Sequence, residues 1–418
     1  MVYNGFIKCE VCGAVTRIRM QVGWLDGHPI AVACQKCGIS LSGKVNIDQD
    51  SCGLSFQFKN AKFLTDAKPD YVVECSGEFP TAKQASDEDL PIGVVTPFLK
   101  NVMRFNDMDS YEKFCKNVLA IKTAVDNWEK YERIFDLYEN GRIDLLKMES
   151  KKLFPQEYCM CRDEYEVLRV VHLVEIHCFI ANLREDILRN TELGKEIMTM
   201  NTNQLQDLIR FLNSHDGYSL KELQRSIHSI MSAFTKVFGA LIPAYALQFF
   251  RERIDYDTEG TTTSSYEEVK EFYIDAYETL GNLLIIPVAL NNILYRGNYD
   301  QLDSSIDNGG SLKDFIAKTK ANRFHFCSKA EKYTELLRTE INVKIRNAIG
   351  HKDVVYDTIT QEITYTPDPK NRAKKHKEYL LEFEDEEMHL FQAILVISEY
   401  LYQLMKIELI TNGVTPIQ

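Results

Sequence analysis

The spacing of apolar residues changes once along the chain. Before about residue 84, apolar and polar residues alternate over short runs, as in residues 55–59, and this period of two predicts β-strands. From about Ser110 to the end, apolar residues recur with a period of 3.6, which predicts α-helices. The expected fold class is therefore mainly α, with a small β-rich N-terminal region followed by an all-α helical bundle at the C-terminus.

The helical period predicts seven helices. Ser219 with Glu222, and Ser265 with Glu268, have the spacing of capping boxes and mark two helix starts. Gly350 follows a long periodic run, so we expect it to end that helix in the left-handed conformation. The seven predicted helices cover residues 109–150, 162–190, 203–213, 219–253, 266–296, 311–349 and 385–410.

Two stretches interrupt these patterns. Residues 86–91 are acidic, with Pro97 close behind, and predict a linker. Residues 354–360 and 362–365 predict a β-hairpin, and a basic run at residues 370–377 follows it. The predicted domains are a zinc ribbon (residues 1–50), a β-rich segment with its linker (51–98), a helical middle region (99–214), and a C-terminal helical domain (215–418) with a hairpin insertion at 354–366.

Composition limits the class of protein. With 418 residues, 45% of them hydrophobic, the chain has ample material for two or three folded domains. The longest charge-free runs, residues 237–250 and 279–295, are shorter than a membrane span, and the N-terminus lacks the pattern of a signal peptide. Eleven cysteines without a disulfide-framework spacing suit a reducing cytosol. We therefore expect a cytoplasmic protein, and the net charge of −12 argues against one that coats nucleic acid indiscriminately.

Four cysteines form two CxxC pairs separated by 21 residues: Cys9, Cys12, Cys34 and Cys37. This spacing predicts a structural zinc ribbon, because each pair can supply two corners of a tetrahedron. A closed four-thiolate site has no open position for substrate, so catalysis by the zinc is not expected. The alternative is four unrelated buried cysteines. Four further cysteines are interpreted as structural: Cys52, Cys75, Cys159 and Cys161.

A second motif lies near the C-terminus, where residues 346–351 read Arg-Asn-Ala-Ile-Gly-His. Here the chain resembles the HEPN superfamily, whose motif is an arginine, usually followed by a polar residue, and a histidine four to six positions later. The motif is expected at the end of a penultimate long helix, with one more helix following. Residues 210–215 have the same arginine-to-histidine spacing without the polar second residue or that position.

The resemblance implies a metal-independent endoribonuclease that cleaves single-stranded RNA or tRNA by attack of the 2′-hydroxyl. Within it, His351 would transfer protons, Arg346 would bind phosphate, and Asn347 would orient the imidazole or contact phosphate. Lysines beside the motif and in the basic run are candidate RNA contacts: Lys344, Lys352, Lys374 and Lys375.

HEPN proteins also suggest partners. They dimerise and place both motifs on one cleft, so we expect a homodimer through the C-terminal domain. Their biology implies a toxin or anti-phage defence effector, restrained by an antitoxin or sensor partner, with the zinc ribbon recognising a trigger, RNA or an inhibitor. No membrane is expected.

Two other interpretations remain open. Residues 346–351 could be an ordinary helix end, with His351 near the helix dipole. The protein could also be a non-catalytic HEPN and zinc-ribbon module for sensing or assembly. The sequence lacks the phosphate-binding loop, HExxH, GxSxG and dinucleotide-binding motifs, and His172 and His177 fit core or surface histidines better than metal ligands.

Overall fold

The computed structural model describes residues 2–23, 25–48, 53–83, 96–184, 186–329, 331–337, 342–367 and 373–414. The protein is about 54% helical, with its first sheets near the N-terminus, so the mainly α class is confirmed. The predicted acidic linker at residues 86–91, Cys52, and residues 370–372 of the basic run lie outside the described residues.

Twelve strands are formed by the described residues. They are β1 (Val2–Cys9), β2 (Val15–Gln21), β3 (Gly27–Ala33), β4 (Ser40–Asp48), β5 (Gly53–Lys59), β6 (Ala61–Leu64), β7 (Tyr71–Ser76), β8 (Thr81–Ala82), β9 (Glu259–Gly260), β10 (Val354–Asp357), β11 (Glu362–Tyr365) and β12 (His376–Tyr379). The predicted hairpin is therefore present, and β12 adds a third strand to it that the sequence did not predict.

Fifteen α-helices are formed by the same residues. They are α1 (Pro97–Val102), α2 (Met108–Asp126), α3 (Trp128–Glu139), α4 (Ile143–Ser150), α5 (Glu164–Glu175), α6 (Ala181–Leu183), α7 (Ile187–Ile197), α8 (Thr202–Asn213), α9 (Leu220–Leu247), α10 (Tyr266–Leu283), α11 (Ile285–Arg296), α12 (Leu312–Ala317), α13 (Lys320–Arg323), α14 (Val343–His351) and α15 (Leu380–Thr411). A π-helical turn, Ile176–Ile180, separates α5 from α6.

The helix predictions were right for α8, α9 and α15 and too long elsewhere. Residues 109–150 form three helices, and the second break falls at Gly141, which has a φ of +66°. The predicted helix over residues 311–349 is wrong: the described part of that stretch contains α12, α13, two 3₁₀ turns and the start of α14. The Ser219–Glu222 capping box is present in both directions, with N···O distances of 3.1 and 3.3 Å.

The chain divides into two compact units, each built from three separate segments. Unit 1 comprises residues 1–116, 236–273 and 342–388, and unit 2 comprises residues 117–235, 274–341 and 389–418. All twelve strands belong to unit 1, and the described residues of unit 2 are helical or lie in turns and loops.

Unit 1 contains four sheets. The first has the strand order β6-β1-β2-β7, in which only the β2–β7 pair is parallel. The second has the order β3-β4-β5 and is antiparallel throughout. Apolar side chains of both sheets, including Ile7, Ile18 and Val32, share one hydrophobic cluster. The remaining sheets are the pair β8–β9 and the antiparallel sheet β10-β11-β12.

Unit 2 has a buried polar chain in its helical core. His172 Nδ1 lies 2.8 Å from Glu175, and His172 Nε2 lies 2.9 Å from Glu399. Glu175 also lies 3.2 Å from His228 Nε2. Although burial acts to lower it, the hydrogen bonds to the two carboxylates raise the pKa of His172 to about 9. His172 is therefore a core histidine with both ring nitrogens hydrogen-bonded to carboxylates.

One helix of the described residues, α9, is long and apolar enough to cross a membrane by length and composition alone. We expected no such segment, because the charge-free runs are short. The core helix of a soluble protein passes the same test, and 56% of the most apolar window of α9 is buried. The helix is therefore weak support for a membrane span.

Candidate functional site

The four cysteines of the CxxC pairs converge in unit 1. Their sulfur atoms all lie within 4.8 Å of one another, with Cys9 Sγ 3.7 Å from Cys37 Sγ and Cys12 Sγ 3.4 Å from Cys34 Sγ. In a tetrahedral site with Zn–S bonds of about 2.3 Å, neighbouring sulfurs are about 3.8 Å apart. The sulfur positions therefore fit a zinc ion with four thiolate ligands.

Each CxxC pair occupies the turn of a β-hairpin. The first lies between β1 and β2, and the second lies between β3 and β4. Gly13 and Gly38 follow the last cysteine of each turn with φ values of +74° and +72°, where a side chain would be strained. Their N–H groups donate to the carbonyls of Cys9 and Cys34 at 3.0 and 2.8 Å. This repeated geometry is that of a zinc ribbon with two knuckles.

In the part of the chain that the structure describes, the cysteine cluster is the one group with the geometry of a metal site. Among the described residues, no other group of three or more His, Cys, Asp or Glu side chains comes close enough to hold an ion. With four protein ligands a bound zinc ion would cross-link the two hairpins and would have no free coordination position. The expected function of the site is to hold the ribbon together.

The arginine–histidine motif occupies a short helix. Its residues lie on α14, which has nine residues, so the expectation that the motif would end a long penultimate helix is wrong. Ile345 and Ala348 are buried, so the face of α14 that carries them packs against the rest of unit 1. Arg346 and Asn347 are half-buried, and His351 is exposed at the last position of the helix.

Arg346 extends along α14 toward its C-terminal end. Its Nη1 atom lies 3.3 Å from the position that a Cβ atom on Gly350 would take. Gly350 itself is helical, so the prediction that it ends the helix in the left-handed conformation is wrong. Lys352 adopts that conformation instead, with φ 58° and ψ 30°. The glycine therefore leaves space for the guanidinium instead of stopping the helix.

Arg346 and His351 do not share a helical face. Five residues at 100° each place them about 140° apart around the axis. Unwinding of the helix at Gly350 would bring His351 round, but α14 continues through His351. A single copy of the motif thus presents a cation and an imidazole at one helix end on different faces.

The start of α14 is held by a partly buried hydrogen-bond network centred on Asn342. Its side-chain oxygen accepts from the N–H of Ile345, while its Nδ2 donates to Tyr365 at 2.7 Å and to Glu378 at 2.9 Å. Its backbone N–H donates to Glu386 at 2.7 Å. These contacts fix the direction of the helix that carries the motif.

The carboxyl groups of this network are part of a buried acidic cluster. Burial, with the neighbouring Glu386 and Glu382 carboxyls, raises the pKa of Glu378 to about 9. Burial likewise raises the pKa of Glu386 to about 7 and that of Glu384 to about 8. These residues were not predicted from the sequence, because an acidic run around the start of α15 looks like a solvated helix face. Their burial could have been inferred from the apolar residues that lie among these acids: Leu380, Leu381 and Phe383.

The predicted RNA-binding lysines are all exposed. Lys344 lies on α14, and Lys352 follows it directly. Lys374 and Lys375 immediately precede β12, in the same unit. The second arginine–histidine pair, Arg210 and His215, lies at the end of α8 in unit 2.

No protein-family model, curated protein or solved structure gives a significant match to this chain. The resemblance to HEPN proteins accordingly rests on residues 346–351 and their helical context. The four-cysteine cluster and residues 346–351 are candidate functional sites because of the positions of their own side chains, without support from a related protein. Both lie in unit 1.

Proposed function

We propose that the protein is a metal-independent endoribonuclease of the HEPN type that cleaves single-stranded RNA or tRNA at residues 346–351. The observation that supports this most is the position of the Arg346 guanidinium, which lies beside Gly350 at the end of α14 where His351 is exposed. A permanently charged planar donor and an imidazole at the same helix end suit the recognition and cleavage of a phosphodiester.

The reaction needs two proton transfers. A base removes the proton of the ribose 2′-hydroxyl, the 2′-oxygen attacks phosphorus, and an acid protonates the departing 5′-oxygen. The products are a 2′,3′-cyclic phosphate and a 5′-hydroxyl. Arg346 would stabilise the charge on the pentacoordinate phosphorus, and Asn347 would contact phosphate or orient the imidazole.

A homodimer would supply the second acid–base group. One motif contains a single histidine, whereas two copies of His351 facing one cleft could divide the roles of base and acid. The same arrangement would remove the difficulty that Arg346 and His351 lie on different faces of α14, because each residue could act with its counterpart from the partner. Lys344, Lys352, Lys374 and Lys375 would contact RNA phosphates around that cleft.

In this proposal the protein acts in the cytoplasm as a toxin or anti-phage defence effector. A defence nuclease must be restrained, so an antitoxin or sensor partner is expected to control it. The zinc ribbon would take part in that recognition, since its closed thiolate set suits structure more than chemistry.

A second candidate is a non-catalytic module that binds RNA or protein. The observation that favours it is the angle of about 140° between Arg346 and His351 on an unbroken helix. A binding module would need the exposed basic residues but not the imidazole.

The matched arginine–histidine pair of α8 provides the control for a direct test. Wild type, Arg346→Ala and His351→Ala would be incubated with single-stranded RNA in EDTA, beside Arg210→Ala and His215→Ala. We expect the two motif variants to lose about 100-fold or more in cleavage rate, since a positioned acid or base, or a group that stabilises charge in the transition state, contributes that much. The α8 variants should cleave like wild type, and sedimentation of each sample should show the dimer mass. Intact RNA with wild type, or equal loss in both pairs of variants, would reject the nuclease.

A further inference from the structure

The motif helix is followed at once by the hairpin of β10 and β11, which we call the motif hairpin (residues 354–365). The N–H of Asp353 donates to the carbonyl of Ala348 on α14 at 3.0 Å, and the N–H of Thr366 donates back to the carbonyl of Asp353 at 3.1 Å. The C-terminal end of α14 and the base of the motif hairpin are therefore joined by backbone hydrogen bonds. Movement of the motif hairpin would be transmitted to His351 and Lys352.

The tip of the motif hairpin contacts the second zinc knuckle. The hydroxyl of Thr358 donates a hydrogen bond to the carbonyl oxygen of Gly38. Gly38 directly follows the ligand Cys37, and its own N–H donates to the carbonyl of Cys34. The acceptor of the Thr358 hydrogen bond is thus fixed by the turn that wraps the metal site.

A second connection runs through residues 261–262. The side-chain amide of Gln361 is buried, accepts from the N–H of Thr261 at 3.1 Å, and donates to the carbonyl of Thr261 at 2.6 Å. The next carbonyl, that of Thr262, accepts from the N–H of Ala31 on β3 at 2.8 Å. The strand β3 leads directly into Cys34, so this path also ends at the second knuckle.

We propose that the zinc ribbon anchors the motif hairpin, so that metal binding at Cys9, Cys12, Cys34 and Cys37 orders the hairpin and the end of α14. A small ribbon of this kind depends on its metal to hold the knuckle turns. Without the metal, the Gly38 carbonyl loses its fixed position and the Thr358 hydrogen bond loses its acceptor. The consequence for RNA cleavage rests on the proposed function, whereas the ordering of the hairpin does not.

Hydrogen exchange of the full-length protein tests the ordering directly. Zinc-loaded protein, with one equivalent confirmed by metal analysis, would be compared with protein stripped by a thiol-competing chelator. We expect exchange in residues 354–365 to become about tenfold faster or more on stripping, while α8 in unit 2 keeps its protection. Loss of protection in the ribbon with an unchanged motif hairpin would overturn the proposal.

Removing the Thr358 hydroxyl tests its hydrogen bond to Gly38 alone, while the zinc ribbon itself is left unchanged. Thr358→Val keeps the shape of the side chain and removes the donor, and Thr358→Ser restores it. With zinc fully bound, the valine variant should exchange about fivefold faster in the motif hairpin, as expected for one lost hydrogen bond, and the serine variant should match wild type. Thr364→Val is the matched control, because the Thr364 hydroxyl donates within the hairpin to Glu362 at 2.8 Å. Equal exchange in the valine variants at positions 358 and 364 would refute the anchor.

The cleavage rate gives an independent readout. If residues 346–351 cut RNA, Thr358→Val should lower the rate several-fold and Thr358→Ser should recover it. If wild type cleaves no RNA, the proposed function fails while the exchange result still decides whether the ribbon anchors the hairpin. The two failures are therefore distinguishable.

Discussion

At Gly350, the missing side chain leaves room for the Arg346 guanidinium. The close approach of 3.3 Å means that an added Cβ would push the flexible arginine away by a few tenths of an ångström. The glycine also weakens α14, because glycine in a helix interior costs about 0.5–1 kcal/mol relative to alanine. A position that sacrifices helix stability beside a candidate phosphate-binding cation is typical of a functional site.

Gly350→Ala should separate stability from activity. We expect the melting temperature to rise, because the residue is helical and exposed, and the RNA cleavage rate to fall several-fold as Arg346 is displaced. Gly239→Ala is the control, because Gly239 is an exposed helical glycine in α9 with open space where its Cβ would be. Thermal melting and single-turnover cleavage would be measured for both. Unchanged cleavage by Gly350→Ala would show that the arginine position is not critical.

At the scale of the element, the position of α14 depends more on its N-cap residue, Asn342, than on the length of the helix. Asn342 connects the helix start to Tyr365, Glu378 and Glu386 through partly buried hydrogen bonds. A capping hydrogen bond of the kind that the Asn342 side chain accepts from the N–H of Ile345 is typically worth about 1 kcal/mol. The motif is thus presented by a short helix with a fixed start, where a long helix was expected.

The raised pKa values of this cluster predict a stability that falls with rising pH. A carboxyl whose pKa is about 9 when folded and near 4.5 when unfolded stabilises the protein fully below about pH 4.5 and loses that contribution as pH rises through 9. Glu378→Gln keeps an acceptor for Asn342 but cannot ionise. We expect its melting temperature to match wild type at pH 5 and to exceed it at pH 9. Glu192→Gln, at an exposed position of α7, should follow wild type at every pH, and parallel curves for all three would contradict the burial account.

The elements show what local sequence could predict. The β-branched and aromatic residues of β10 and β11 predicted the hairpin, and the capping box predicted the start of α9. The break within residues 311–349 was not predictable from apolar spacing, because short helical turns joined end to end keep nearly the same period. The four-cysteine cluster was predictable because a metal site requires fixed ligand types at fixed spacing. The Asn342 network was not, since its members lie on different elements, 23 to 44 residues after Asn342.

At the scale of the whole molecule, the order of residues along the chain does not determine which residues share a unit. Unit 1 combines the N-terminal zinc ribbon with residues 342–388, and nothing in the spacing of apolar residues signals that pairing. Which segments of the chain form a unit depends on how they pack against one another. The local spacing of apolar residues does not specify that packing. The result is that the four-cysteine cluster and the candidate active site, far apart in sequence, belong to one compact unit.

Both units also carry buried titratable groups. In unit 2, the pKa of His172 is raised to about 9 by its carboxylate partners despite burial, so its contribution is complete below about pH 6.5 and is lost as pH rises through 9. The glutamates of unit 1 act in the same direction. The whole protein is therefore expected to be more stable in mildly acidic than in alkaline solution.

The most direct test of cleavage at residues 346–351 is the chemistry of the RNA ends produced in EDTA. Wild type should yield 2′,3′-cyclic phosphate and 5′-hydroxyl ends, and His351→Ala should yield neither above background. RNA ends bearing a 5′-phosphate, or identical cyclic-phosphate yields from wild type and His351→Ala, would contradict the assignment.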